Sequence, residues 1–157
     1  MRTRIAASGV VTDAHDLEEQ AVDDLSAFAR QIFESQPFSQ FIGARLTGSG
    51  PRDAEISLPV SGQHHQQHGF VHGGVISYLA DNTITFAGGL ALGGNALTSE
   101  FKINYLKPAR GSLLVARAHA TGVGKRQAVC QCEIYSVENG EEKLCAIAQG
   151  TVVSAAQ

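Results

Sequence analysis

One segment of the chain, residues 74–87, limits the possible folds more than any other. Its apolar residues recur at helical spacing and form one stripe, which consists of Val75, Ile76, Leu79, Ala80, Thr83, Ile84 and Ala87. A helix with such a stripe is stable when another layer of structure covers it. The sequence therefore predicts a long, buried central helix over about residues 73–88.

Strand-like segments make up most of the chain after this helix. They are residues 96–106, 113–121, 128–137 and 144–153, and glycine-containing turns separate them. The last turn contains Asn139-Gly140, which is the strongest short signal for a hairpin. An antiparallel sheet wrapped around the central helix is the economical way to bury the stripe. The predicted fold class is α+β.

The region before the central helix adds a helix and a hairpin to this prediction. Residues 16–33 carry apolar side chains at helical spacing, which predicts an extra N-terminal helix. Segments 41–47 and 54–58 flank a turn rich in glycine and proline, which predicts a hairpin. Residues 1–15 are predicted to be a flexible tail. Residues 16–157 are predicted to be one domain, because a chain of 157 residues is short for two.

Charge and hydropathy argue against several partners. Twelve basic residues against 15 acidic ones give a net charge of −3, so we expect no nucleic-acid partner. The longest apolar stretch, residues 86–97, is interrupted by four glycines and an asparagine, so we expect no membrane span. The odd count of three cysteines, with Cys130 and Cys132 on one face of a predicted strand, favours a reduced, cytoplasmic location.

Two features of the central helix suggest chemistry. Gly73 and Gly74 lie at its start, where free backbone N–H groups can bind a developing negative charge, although the glycines could merely permit a sharp turn. Asp81 lies two turns further on among apolar residues, with Ser77 and Thr85 one turn on either side. A carboxylate there is costly unless paired or functional, although it could face solvent. The combination favours catalysis.

Four histidines raise the question of a metal. His64, His65, His68 and His72 lie close together in the sequence, but their spacing matches no established ligand pattern. No nearby cysteine or acidic residue completes a set. We therefore expect no metal site.

A joint pattern of motifs resembles a known enzyme family. His72-Gly73-Gly74 is followed at fixed spacing by Leu79-Ala80-Asp81, and a later strand runs from Phe101 into Lys107-Pro108-Ala109-Arg110-Gly111. This pattern closely resembles the phenylacetate-pathway (PaaI-like) acyl-CoA thioesterases, over about residues 36–153. The resemblance implies the hot-dog fold, in which an antiparallel sheet wraps around a central helix.

The resemblance also implies roles for individual residues. Asp81 would be the nucleophile or general base, the Gly73 N–H would polarise the thioester carbonyl, and Thr98 would help to hold water. Gln66 stands where the family usually has asparagine, which positions the thioester or the water; glutamine keeps the amide on a side chain one methylene longer. His72 is a further catalytic candidate.

The implied substrate is an acyl-CoA, with no separate cofactor. Gly74 and four basic residues, Lys107, Arg110, Lys125 and Arg126, are candidates for binding coenzyme A. The basic side chains could meet its phosphates, or they could simply form a solvated surface.

The spacing of Gly73 and Asp81 has a consequence for assembly. Eight residues of helix separate them by about 12 Å along the axis, which is too far for one carbonyl to contact both. The family pairs subunits with antiparallel central helices, which brings Gly73 of one chain opposite Asp81 of the other. We expect a homo-oligomer, at minimum a dimer and, by resemblance, a dimer of dimers.

Two other functions fit the same residues. A hot-dog hydratase or dehydratase could use His72 with Asp81 as acid and base. A non-hydrolytic protein could bind acyl-CoA on the same fold, although binding alone has little use for a carboxylate at position 81.

Overall fold

A computed structural model describes residues 14–155. The elements in chain order are α1 (Ala14–Glu34), α2 (Pro37–Ile42), β1 (Arg45–Ser49), β2 (Asp53–Pro59), a 3₁₀ turn (Gly62–His64), α3 (Gly73–Leu92), β3 (Ala96–Tyr105), β4 (Leu113–Val123), β5 (Gln127–Glu138) and β6 (Glu141–Ser154). The predicted central helix is α3, and the four strands predicted after it are β3 to β6.

The six strands form one antiparallel sheet in the order β1-β2-β4-β5-β6-β3, with β1 and β3 at the edges. The turn between β5 and β6 contains Asn139 and Gly140, both in the left-handed region with φ of 52° and 79°. A two-residue hairpin turn requires this conformation, and the Asn-Gly pair supplies it.

The sheet wraps around α3, as predicted. Ten residues of the helix are buried: Ile76, Leu79, Ala80, Thr83, Ile84, Phe86, Ala87, Gly88, Gly89 and Leu90. A side chain at Gly88 would place its Cβ 2.7 Å from the side chain of Val152 on β6. Glycine therefore permits close packing of helix on sheet at this point. The helix ends at Leu92, because the next residue, Gly93, has a φ of 77° that does not allow a helix to continue.

The predicted N-terminal helix is present as α1. It starts at Ala14, so Ala14 and His15 belong to it rather than to the predicted tail, whose other residues lie outside the described part of the chain. Ala29 and Phe33 are its buried residues, and the Phe33 ring lies 5.6 Å from that of Phe86 on α3. This contact attaches α1 to the central helix.

The hairpin prediction is correct for β1 and β2 but wrong at its start. Residues 37–42 form the short helix α2 instead of leading into a strand. Pro37 occupies its first turn, where the missing N–H has no cost, and Gly43 ends it with a φ of 80°. These two residues, Phe41 and Ile42, were predicted to begin the first strand but lie at the end of α2, where Ile42 is buried and Phe41 is exposed.

The three cysteines, Cys130, Cys132 and Cys145, are free thiols buried in the core. Burial raises the pKa of Cys130 and Cys145 to about 11 and that of Cys132 to about 12. The thiols are therefore protonated and shielded at neutral pH. Within residues 14–155, no helix combines the length and the apolar character that crossing a membrane requires.

Candidate active site

The start of α3 leaves one backbone donor open. His72 is the N-cap, and its Nδ1 accepts a hydrogen bond of 2.9 Å from the Gly74 N–H. The Gly73 N–H forms no hydrogen bond with the described residues. The Tyr105 hydroxyl donates to the Gly73 carbonyl oxygen at 3.0 Å. Gly73 is thus held in place while its N–H can bind an incoming oxygen.

Space, rather than backbone conformation, explains Gly74, whereas neither factor restricts position 73 to glycine. Neither Gly73 nor Gly74 has a positive φ. A Cβ at position 74 would lie 2.9 Å from the His72 ring, and one at position 73 would lie 3.4 Å from the Tyr105 ring. The sharp-turn explanation considered from the sequence is therefore not needed.

Asp81 is half-buried and engaged by a hydroxyl from the sheet. Thr98 donates a hydrogen bond of 2.6 Å to Asp81 Oδ1. The Thr85 hydroxyl contacts that of Thr98 and donates to the Asp81 carbonyl oxygen at 2.8 Å. The register of β3 shifts between Thr98 and Glu100, and a bulge of this kind re-aims side chains. One carboxylate oxygen is fixed, and Oδ2 is left for another partner.

Gln66 lies in a cleft beside the helix start. The cleft has a volume of about 400 Å³, and its lining includes Gln66, Phe70, Tyr105 and Lys107. The Gln66 Oε1 accepts a short hydrogen bond from the His68 N–H, which fixes the side chain locally. The side-chain Nε2 is the part of the amide that remains to meet a ligand.

The four basic candidates fall into two separate pairs. Lys107 and Arg110 follow the end of β3, and the Arg110 guanidinium lies 4.3 Å from the centre of the Phe70 ring. Lys125 and Arg126 lie in the turn between β4 and β5, where Ser154 donates to the Arg126 carbonyl oxygen. Ser154 lies opposite Ala96, the first residue of β3, so Lys125 and Arg126 are near the start of that strand. Lys107 and Arg110 follow its end, and the two pairs of basic residues are therefore about 30 Å apart within one chain.

Two of the four histidines, His64 and His72, have side chains with structural contacts. His64 is buried, accepts from the Ser61 N–H at 3.0 Å and binds the Ile42 carbonyl oxygen through Nε2 at 3.0 Å. His72 caps α3 and precedes Asp81 by nine residues, or about 13 Å along the helix axis. The described residues contain no group of three or more His, Cys, Asp or Glu side chains that could hold a metal ion.

Comparison with known proteins identifies the family. A model of the thioesterase superfamily matches residues 68–143. A relative from Haemophilus influenzae, provisionally named an esterase, is 31% identical over 113 residues, which cover 71% of this chain and 80% of the relative. The chain belongs to the thioesterase superfamily. The predicted family is thereby confirmed, and membership supports a hydrolase of the esterase or thioesterase class.

Similarity to solved structures confirms the predicted hot-dog fold of this chain. A thioesterase family protein from Silicibacter pomeroyi is 31% identical, with a TM-score of 0.78 over 82% of this chain and 96% of that one. A mutant of the phenylacetic acid degradation protein PaaI from Thermus thermophilus is 28% identical, with a TM-score of 0.68 over 76% of this chain and 100% of that one. The segment matched by the family model contains Gly73, Asp81 and Thr98, but not α1 or α2.

Proposed function

We propose that this thioesterase superfamily member hydrolyses acyl-CoA thioesters to a free acid and coenzyme A. The observation that carries the proposal is the Asp81 carboxylate, which is half-buried on the central helix with one oxygen bound by Thr98. The open N–H of Gly73 supplies the complementary group, a donor for the oxyanion.

Two mechanisms fit these groups. As a general base, Asp81 takes a proton from water while the water oxygen attacks the thioester carbonyl. As a nucleophile, Asp81 attacks the carbonyl itself and forms an anhydride that water then hydrolyses. In both, the Gly73 N–H stabilises the tetrahedral oxyanion, the C–S bond breaks, and the thiolate of coenzyme A leaves and takes up a proton.

The proposed site is shared between two subunits. Gly73 and Asp81 lie about 12 Å apart along α3, so two antiparallel copies of α3 are needed to bring the donor and the carboxylate to one substrate. The position of β3 supports such pairing. This strand is ten residues long and lies at the edge of the sheet, where its outer backbone groups can pair with another strand, and its residue Leu97 is 63% exposed. The minimal unit is then a homodimer, and a dimer of dimers is the larger assembly.

The same pairing brings the two pairs of basic residues together. If two β3 strands lie side by side in opposite directions, the start of one meets the end of the other. Lys125 and Arg126 of one subunit then approach Lys107 and Arg110 of its partner, beside the cleft that Gln66 and Lys107 line. All four side chains could meet the phosphates of one coenzyme A.

The test is the release of free thiol from acyl-CoA by purified Asp81→Asn protein, with Ser77→Ala, one turn away on the same helix, as the matched control. We expect a loss of at least about 100-fold in kcat for Asp81→Asn, since the amide can neither accept the proton nor attack, and little change for Ser77→Ala. The enzyme's own buried thiols should add little background. Near-normal turnover by folded Asp81→Asn protein would remove Asp81 from the mechanism.

The same assay separates the alternative functions. A hydratase that used His72 and Asp81 would add water to an enoyl-CoA without releasing thiol. A binding protein would take up acyl-CoA and do neither. The capping bond on His72 Nδ1 means that a hydratase would have to use Nε2 of this ring for proton transfer.

A further inference from the structure

A second cavity lies on the other side of Asp81 from the helix start. It is bounded by α1, the C-terminal half of α3 and the beginning of β3, and its volume is about 80 Å³. Its lining is largely apolar and includes Phe28 and Ile32 from α1, Thr85, Phe86 and Leu90 from α3, and Ala96 from β3.

A short chain of hydroxyl contacts joins this cavity to the candidate carboxylate. Thr85 lines the cavity and contacts the hydroxyl of Thr98, which donates to Asp81. Along the helix, the cavity lies between about 6 Å and 13 Å beyond Asp81, from Thr85 to Leu90. An acyl group whose thioester carbonyl lies at Asp81 is therefore long enough to reach this space along α3.

We propose that this cavity receives the acyl group and that Phe28 and Ile32 of α1 determine its length limit, an inference that rests on the proposed hydrolysis of acyl-CoA. One buried water needs roughly 10–15 Å³ of such volume, so the cavity has room for about five to eight water-sized groups. The fitting substrates carry compact apolar acyl groups, and a long straight chain would extend past Phe28 and Ile32.

Helix α1 lies outside the segment that the superfamily model matches. The superfamily model begins at residue 68, whereas α1 spans Ala14–Glu34. The buried residues Ala29 and Phe33 anchor α1 on the fold, and Phe28 and Ile32 each lie next to one of them in the sequence. Phe28 is 41% exposed, so it can be replaced with little loss of core packing.

The experiment measures kcat/KM over a series of straight-chain acyl-CoAs, from acetyl to dodecanoyl. In Phe28→Ala and Ile32→Ala, we expect the ratio of long-chain to short-chain kcat/KM to rise about 10-fold or more, which is the effect of removing methylene-sized groups from an apolar pocket. Phe28→Trp should shift the ratio in the opposite direction. Leu17→Ala, an exposed position of α1 outside the cavity, is the matched control and should keep the original profile.

A second readout keeps this inference separate from the proposed function. Binding of the same series to Asp81→Asn protein, measured by calorimetry, should show the same length limit and the same shifts without turnover. If the unaltered protein hydrolyses no acyl-CoA, the proposed function fails. The binding profile would still show whether the acyl group occupies this cavity. If folded Phe28→Ala and Phe28→Trp proteins keep the original length profile in both measurements, the acyl group does not enter this cavity.

Discussion

Complementation between two inactive chains tests the shared site directly. One variant, Asp81→Ala, lacks the carboxylate, and the other, Gly73→Pro, lacks the backbone N–H. In a mixed dimer with shared sites, one site combines Gly73 from the first chain with Asp81 from the second and is intact, whereas the other site lacks both groups. In a site confined to one chain, neither chain of the mixed dimer would have both groups.

The structure shows why proline should be accepted at position 73. Gly73 is the first residue of α3, where proline is favoured, and its N–H has no partner among the described residues, so no hydrogen bond is lost. The preceding residue, His72, has φ of −62° and ψ of 135°, which is the extended conformation that a following proline requires. Gly73→Ala is the matched control, because it adds the Cβ beside Tyr105 but keeps the N–H.

The expected magnitudes follow from counting intact sites. Each parent variant should lose about 100-fold or more in kcat, through the missing base or the missing oxyanion donor. A purified mixed dimer has one intact site of two, so its activity should approach half of the wild-type value if the sites are independent.

The assay is thiol release by mixed dimers isolated through two different affinity tags, one on each chain. Gly73→Ala alone should keep most of its activity, which would assign the loss in Gly73→Pro to the N–H. Verified mixed dimers as inactive as both folded parents would refute the shared site and require a donor other than Gly73.

Two further predictions follow from the contacts described. Thr98→Ala should lower kcat less than Asp81→Asn does, because it removes a hydrogen bond to the carboxylate but not the carboxylate itself; an equal loss in steady-state kinetics would mean that Thr98 takes part more directly. Neutralising Lys107 and Arg110, or Lys125 and Arg126, should raise KM for acyl-CoA but not for a truncated thioester without the nucleotide; a rise for both substrates would indicate damage to the fold.

The sequence predicted the parts of the fold that depend on periodicity. The stripe of α3 and the alternation in β3 to β6 are strong repeating signals, and Asn139-Gly140 specifies its turn through local conformation. The start of the first hairpin was predicted wrongly because two adjacent apolar residues, Phe41 and Ile42, are too few to distinguish helical from strand periodicity. Tertiary packing decides there, since the helix α2 buries Ile42 and leaves Phe41 exposed.

The candidate site was less accessible from sequence, because its contacts join distant elements. Asp81 stood out as a carboxylate on an apolar helix, and Thr85 as its neighbour one turn away. Nothing local indicates that Thr98 reaches them from β3, and only the family resemblance drew attention to it. The capping bond of His72 could have been inferred from its place before Gly73, since the residue before a helix is the one whose side chain can accept the free N–H groups.

The two glycines show how the same residues can satisfy packing and chemistry together. From the sequence, a tight turn and an anion site competed as explanations of Gly73 and Gly74. The turn explanation is not needed, because neither residue has a positive φ, and at Gly74 a Cβ would come too close to the His72 ring. The His72 ring takes up the Gly74 N–H, while Tyr105 binds the carbonyl of Gly73 and leaves its N–H open. The contacts at Gly73 and Gly74 thus reduce the donors at this helix start to one defined group, which is what the stabilisation of a single oxyanion needs.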